Sequence, residues 1–436
     1  MIATARVAAF DALRQVEASH LDLGEAVARV RKPLADERDR ALLLELVSGT
    51  LRMRAAIDFQ LASRVSRPLS KLDDAVLVIL RMSGFQLLYL SRIPASAIIH
   101  DAVELTRRSG KTSAAGLVNA VLRALAKDRE TIAWPPIPPD DAPDDAVVTY
   151  LATVHSHPAW LVSRWLERHG RDATEQWLVF NNRPAALCLA PNRTLVSREA
   201  LAEELRADGV DTEPTRRAPH GLHVRSGQPL ATRAFREGRF LVQDEASQLI
   251  AALVDPPRGG RVLDLCASPG GKTMSLVADV GGRGVVVASD VRPHRLRVLA
   301  STLARCRASR ARVVQVPPDG ALPMRDASLD TILIDAPCSG LGTVRRDPDI
   351  RWRRSAEDLP RFAAAQLALL ERAAGLVRAG GTIVYSTCSS EPEENDDVVA
   401  GFLRTHPAFA QERIHQTLPF RDGLEAFYGA VLRRTL

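Results

Sequence analysis

The sequence predicts a multidomain fold: an all-α N-terminal bundle, a small α+β middle domain and a C-terminal α/β domain built on a parallel, doubly wound sheet. Three observations carry that expectation. Apolar residues recur at three- and four-residue spacing, with few glycines or prolines, over residues 1–128. Prolines and aspartates then crowd residues 129–148. From Gly260 onward, short β-branched runs alternate with helical segments. At 436 residues the chain is long enough for each part to bury its own core.

The helical part is marked by Val7, Phe10, Leu13 and Val16, and again by Leu42, Leu44, Leu46 and Leu51. Such intervals gather apolar side chains on one helix face. The stretch 134–145 suits neither a helix nor a central strand, because its prolines lack the N–H and its aspartates resist burial. Residues 129–148 are therefore expected to be a linker. Helical signals resume at 159–168 and 175–179, and short strands are expected at 186–189 and 222–224 around a helix at 199–207. These make up an expected middle domain over 149–256. Residues 257–436 carry strand signals at 262–265, 284–289, 312–316, 331–334 and 382–385, with helices such as 295–308 and 361–377 among them. Ligands of such sheets bind beyond the carboxyl ends of the strands, so chemistry is expected there.

Composition narrows the class. Hydrophobic content of 46% and charged content of 25% are those of a globular protein. The first ten residues have no long apolar core and read as an amphipathic helix, not a secretion signal. The apolar run 75–80 is too short to span a bilayer. A cytoplasmic monomer without a membrane partner is expected. The five cysteines, Cys188, Cys266, Cys306, Cys338 and Cys388, are scattered, so neither a disulfide framework nor a metal site is expected. The formal net charge is +6, and only five of the 58 basic residues are lysines. Arginine's planar fork suits phosphate and stacks on bases, a lean toward nucleic acid that composition alone does not carry far.

The first strand of the C-terminal domain runs into Asp264-Leu-Cys-Ala-Ser-Pro-Gly-Gly-Lys-Thr273. Gly270 and Gly271 remove side chains where the backbone must turn toward a ligand. The spacing is neither the dinucleotide fingerprint nor a complete phosphate-binding loop. Asp290 ends the second strand, where a carboxylate can accept from a ribose diol. Asp319 follows the third and Asp335 closes the fourth. Acids at successive strand ends suit a ligand with a nucleoside and an ammonium group, a description that S-adenosylmethionine meets.

Two cysteines also follow strands: Asp335-Ala-Pro-Cys338-Ser-Gly and Ser386-Thr-Cys388-Ser-Ser. Adjacent parallel strands would bring them into one cleft. Such a thiol has a use. Carbon 5 of cytosine is a poor nucleophile, but a thiolate adding at carbon 6 makes carbon 5 enamine-like. An ordinary cysteine, with pKa about 8.5, is only slightly ionised at neutral pH, so the site must help remove the proton. Asp335, protonated or sharing a proton with cytosine N3, would stabilise the charge that develops on the ring.

The motifs Asp264-Leu-Cys-Ala-Ser-Pro-Gly-Gly-Lys-Thr, Asp335-Ala-Pro-Cys-Ser-Gly-Leu-Gly and Tyr385-Ser-Thr-Cys-Ser resemble, in order and spacing, those of the RNA cytosine-5 methyltransferases. Within them the chain looks most like the bacterial small-subunit ribosomal RNA enzymes of the Sun group. Glu45-Leu-Val-Ser-Gly-Thr-Leu-Arg52 and Leu117-Val-Asn-Ala-Val-Leu-Arg123 resemble the NusB-like helical RNA-binding domain of that group. Arg345-Arg-Asp-Pro-Asp-Ile-Arg-Trp352 is similar to its substrate-side loop, and Asp422-Gly with Phe427-Tyr428 to its last strand. The resemblance implies a Rossmann-like class I methyltransferase domain that uses S-adenosylmethionine on cytosine C5 of 16S ribosomal RNA through a covalent cysteine–C6 adduct. It implies Cys388 as nucleophile, Cys338 as the group assisting product release, and Asp335 and Lys272 as further catalytic residues. It implies that Cys266, Ala267, Ser268, Pro269, Gly270, Gly271, Lys272, Asp290, Asp319 and Asp335 hold the cofactor. Residue chemistry alone does not distinguish the two cysteines.

The sequence departs from the family pattern at Pro317-Pro318-Asp319-Gly320, where Gly-Asp-Gly is usual, and at Pro191-Asn192. The first puts the adenine pocket in question and the second the placement of RNA. The alternatives are a transfer RNA cytosine-5 methyltransferase, a non-catalytic RNA-binding assembly factor and, weakest, a nicotinamide dehydrogenase.

Overall fold

The computed structural model describes residues 2–435. They divide into two compact units, 2–184 with Val344–Ala356, and 185–343 with 357–435.

The first unit is helical: α1 (Thr4–Glu17), α2 (Leu23–Arg31), α3 (Glu37–Arg52), α4 (Arg54–Ala62), α5 (Asp74–Tyr89), α6 (Ala95–Arg108), α7 (Ala115–Lys127), α8 (Asp144–Val154) and α9 (Ala159–Asn182). Aspartates start several of these helices. Asp22 accepts from the Glu25 N–H at 2.8 Å, Asp36 from Arg38 at 2.8 Å and Asp73 from Ala75 at 3.0 Å. Leu13, Leu43, Leu46, Ile57, Ile79, Leu122 and Leu125 form the core. Leu44, expected inside, is 52% exposed. The inward stripe of α3 runs through Leu43, Leu46, Val47, Thr50 and Leu51; Leu44 stands on the flank of that stripe, one heptad before Leu51, and is left uncovered there. Arginines inside the bundle are paired: Arg6 with Asp101 at 2.6 Å, and Arg81 with Asp58 at 2.7 Å and Glu17 at 3.2 Å.

The expected linker ends earlier than 148. Asp144 and Asp145, read as linker acids, form the first turn of α8, where negative charge suits the helix dipole. Helices α8 and α9 fall in the first compact unit. Gly170, at φ 75° and ψ 174°, breaks α9 between the two expected helical segments.

The second unit begins with an antiparallel sheet of order β2-β3-β1-β4, made from β1 (Cys188–Pro191), β2 (Asp211–Pro214), β3 (Leu222–Ser226) and β4 (Phe240–Val242). Leu201 and Leu205 of α10 (Arg198–Ala207) pack with Leu189, Leu222 and Phe240. Short α11 (Arg233–Arg236) precedes β4, and α12 (Glu245–Leu253) leads to the large sheet.

That sheet comprises β5 (Arg261–Asp264), β6 (Val285–Asp290), β7 (Ala311–Gln315), β8 (Leu329–Asp335), β9 (Val377–Thr387), β10 (Phe409–Thr417) and β11 (Phe427–Arg434), ordered β10-β11-β9-β8-β5-β6-β7. Strands β5 to β9 pair in parallel, whereas β11 runs antiparallel to both β9 and β10. The sheet is therefore mixed, correcting the expectation of a parallel one: the chain end returns as a hairpin, which needs no crossover helix. The remaining helices are α13 (Gly271–Val280), α14 (Pro293–Arg305), α15 (Ile350–Arg353, within the first unit), α16 (Asp358–Ala374), α17 (Asp396–Thr405) and α18 (Pro419–Asp422). Asp422-Gly423, expected near a strand, closes α18 with Gly423 left-handed at φ 69°.

Candidate active site

From β5 the large sheet extends to β6 and β7 on one side and to β8 and β9 on the other. The crevice at that reversal lies beyond the carboxyl ends of β5 and β8. The segment after β5 is drawn along the sheet by hydrogen bonds from Leu265 N–H to Leu333 O (2.9 Å) and Ala267 N–H to Ser289 O (2.8 Å). Cys266 and Ser268 are half-buried and Pro269 is exposed. Burial pushes the Cys266 thiol up, so it stays protonated. Gly270 turns the chain at φ 108° into α13. A Cβ on Gly271 would stand 3.3 Å from Gln243, whose Oε1 is buried without a partner.

The acids divide. Asp264 and Asp290 are buried. Asp264 accepts from the Thr273 hydroxyl at 2.7 Å with one oxygen, while the other is buried without a partner. Asp290 accepts from the Arg292 N–H at 3.0 Å. Asp335 meets Lys272 Nζ at 2.6 Å and the Ser386 hydroxyl at 3.1 Å. Burial works against the Lys272 ammonium, but Asp335 outweighs it and holds its pKa above the usual lysine value. Asp319 lies on an exposed loop whose carbonyls, at Pro317, Pro318 and Gly320, accept from Arg372 at 2.8–3.0 Å. The diproline departure is thus anchored by a guanidinium on α16. At the other departure, Asn192 donates to Gly238 O and Cys306 O, both at 2.9 Å, and is fully used as a structural tie.

Cys338 and Cys388 meet at an Sγ–Sγ distance of 3.0 Å, brought together because β8 and β9 are adjacent and parallel. The contact with Cys388, with burial added, pushes the Cys338 thiol well above its ordinary value. Cys338 therefore keeps its proton and can donate it toward Cys388. Cys188 and Cys306 are buried structural residues.

Sequence reasoning missed the residues that hold this pair. Glu394 accepts from Ser339 and Ser389, each the neighbour of a cysteine. The Gly342 N–H donates to Cys388 O at 2.9 Å. Asn395 bonds the Thr387 hydroxyl at 2.6 Å and Ser389 O at 3.0 Å. The only sequence signal was the acidic run Glu391-Pro-Glu-Glu-Asn395, which does not reveal which acid turns inward. Among the described residues no cluster of His, Cys, Asp or Glu could hold a metal ion, and no helix is long and apolar enough to cross a membrane.

An open sheet that reverses over a glycine loop flanked by strand-end acids is the fold of the class I S-adenosylmethionine-dependent methyltransferases, and this chain is one of them. It belongs to the ribosomal RNA small subunit methyltransferase B family. Residues 251–432 match the model of the 16S rRNA methyltransferase RsmB/F family, residues 3–127 that of the NusB family, and residues 157–231 the RsmF/B-like ferredoxin-like domain. A Bacillus subtilis protein named "Probable ribosomal RNA small subunit methyltransferase B" is 35% identical over 86% of this chain and 82% of its own length. The "Ribosomal RNA small subunit methyltransferase B" of Serratia proteamaculans is 32% identical over 94% of this chain and 95% of its own. The crystal structure of PH0851 shares the fold, with a TM-score of 0.83 at 24% identity over 99% of both chains.

Proposed function

We propose that this protein transfers a methyl group from S-adenosylmethionine to carbon 5 of a cytosine in small-subunit ribosomal RNA. The observation that carries this reading is the pair of thiols 3.0 Å apart beyond the ends of β8 and β9, where Asp335 closes β8 and its partner Lys272 comes from α13. The residues present fit the cofactor: Asp264 offers a buried oxygen without a partner, and Gly270-Gly271 leave a cradle that a side chain would fill. Cys266, Ala267, Ser268, Pro269, Gly270, Gly271, Lys272, Asp290, Asp319 and Asp335 are assigned to holding it. Bound there, S-adenosylmethionine supplies an electrophilic methyl group.

Cys388 is assigned as the nucleophile whose thiolate bonds to C6 and makes C5 electron-rich. Asp335, which accepts from Lys272 and Ser386, is assigned to share a proton with cytosine N3 as charge develops on the ring, and the Lys272 ammonium orients its carboxyl group. Formation of the C5–methyl bond breaks the methyl–sulfonium bond; the C5 proton then passes to water, the N3 proton returns to Asp335, and the Cys388–C6 bond breaks with its electron pair on sulfur, so that the thiolate departs with the ring restored. Cys338, which holds its proton against Cys388, assists that departure by donating to the leaving sulfur. The target base must be unstacked to reach these groups. The helical domain at 3–127 is assigned to RNA contact, in keeping with the arginine excess of the chain.

The test incubates the protein with radiolabelled S-adenosylmethionine and unmodified small-subunit ribosomal RNA, beside Cys388→Ala and Cys338→Ala. Label in 5-methylcytosine is expected, absent with Cys388→Ala and accompanied by a trapped protein–RNA adduct with Cys338→Ala. Transfer to transfer RNA alone would overturn the substrate, and transfer to no RNA would overturn the reaction.

A further inference from the structure

We infer that Glu394 is the positioning residue of the thiol pair: its carboxylate fastens the loop after Cys338 to the loop after Cys388, so that the two sulfurs meet. The inference rests on the cysteine roles proposed above, but its evidence is separate from them. Glu394 is 0% exposed and stands at the end of the turn Pro392–Glu394. One carboxylate oxygen accepts from the Ser339 N–H at 2.7 Å and from Gln366 Nε2 at 3.0 Å. The other accepts from the hydroxyls of Ser339 and Ser389, each at 2.5 Å. A carboxylate has about four lone-pair sites, and here each has a donor. Ser339 directly follows Cys338 and Ser389 directly follows Cys388, so one carboxylate ties both loops within a single residue of the sulfurs.

The turn itself is fixed from below. The Tyr385 hydroxyl donates to Glu394 O, and Asn395 bonds both Thr387 and Ser389. None of the four donors to the carboxylate is cationic. Its field is therefore not cancelled by a bonded counter-charge, and it adds to the contact with Cys388 and to burial in holding the proton on Cys338. A buried carboxylate costs several kcal/mol in desolvation unless well bonded. An apolar side chain would fill this space at lower cost, yet it would leave two serines and the backbone N–H of Ser339 without their acceptor.

The experiment uses the full chain as Glu394→Gln and Glu394→Ala. Glutamine keeps the shape and removes the charge, with its Nε2 donating to the two serine hydroxyls that donate to Glu394 in the parent. Two quantities are read: the alkylation rate of each cysteine by iodoacetamide against pH, followed by mass spectrometry without RNA, and kcat and KM for methyl transfer. With Glu394→Gln, the Cys338 alkylation profile is expected to move to lower pH, with a fall in kcat, an unchanged KM for RNA and an unchanged melting temperature. With Glu394→Ala, displacement of the loops by about 1 Å is expected to lower kcat about a hundredfold. Should the alanine variant fail to fold, the glutamine variant decides. An alanine variant that folds and keeps parental kcat would overturn the inference; where that variant does not fold, a glutamine variant with an unmoved alkylation profile and parental kcat would do so. Parent protein that shows the shift against Glu394→Gln yet methylates no RNA would instead defeat the proposed reaction and leave the clamp standing.

Discussion

Asp264 ends β5 with one oxygen bonded to Thr273 and the other buried without a partner, and burial pushes its carboxyl up to about 7. An unfolded aspartate titrates near ~3.9. Folding therefore favours the protonated form. That contribution is full below about pH 4 and is lost as the pH climbs through about 7, a difference on the order of 4 kcal/mol. Asp264→Asn removes the titration, since an amide stays neutral. The variant is expected to gain on the parent in urea midpoint between about pH 5 and about pH 8, the gap widening while the parent's carboxyl is ionised only in the unfolded chain and levelling off above about 7. Equal gaps at both pH values would remove Asp264 as the source.

At the scale of elements, the cysteine loops depend on how closely β8, β9 and the segment leading into β11 approach. Gly342, in the turn Leu341–Thr343, is where they touch. A Cβ there would stand 1.9 Å from Ala426 O and 2.8 Å from Cys388 O, both backbone atoms that no rotamer change can move. Gly342→Ala must push the Cys388 loop away or open the contact with residue 426. Overpacking of this kind costs about 1–3 kcal/mol. The expected result is a folded protein with a lower urea midpoint and almost no methyl transfer, read in the same preparation. A variant with parental activity would show that the loop spacing has slack. The loop 317–320 shows the opposite design, since four exposed residues are held from outside by one arginine, Arg372 of α16.

For the whole molecule, connectivity matters as much as packing. The chain leaves the second unit at Thr343, crosses the first as Val344–Ala356, and returns at Glu357. Arg351 fixes that crossing. Fully buried, it donates to Ser156 O, Asn181 O, Val344 O and Asn182 Oδ1 at 3.0–3.3 Å. Burial, with Arg52 adding to it, pulls the Arg351 pKa down to about 9. Beside it, burial and then Arg351 hold His157 well below the usual histidine value, so the imidazole is neutral. Trp352 Nε1 donates to Leu51 O at 2.6 Å, with the Arg54 guanidinium over its ring at 5.3 Å. Arg351→Ala leaves these acceptors without a donor and is expected to cost about 3 kcal/mol or more. Hydrogen exchange should then rise together in 344–356 and in α3 and α9, while β5, β8 and β9 keep their protection. Faster exchange confined to 344–356 would show that the segment opens on its own.

Local chemistry and periodicity determined much of this protein. The helical spacing of residues 1–128, the alternation after Gly260, the glycine loop and the strand-end acids and cysteines are visible in the sequence because each depends on neighbours a few residues away. Leu44 failed as a core residue because it shares a helix flank with the buried Leu51, and an apolar side chain carries no mark of how far along that flank the covering helices reach. The acids of 140–145 read as linker because a helix start and a solvated loop have the same composition. Only the tertiary structure decided that α8 and α9 join the helical unit, that the last strands run antiparallel and that Arg351 is buried. It alone chose Glu394 from the acids of its run, because burial and hydrogen-bond partners depend on residues about fifty positions apart that meet only when β8 and β9 pair.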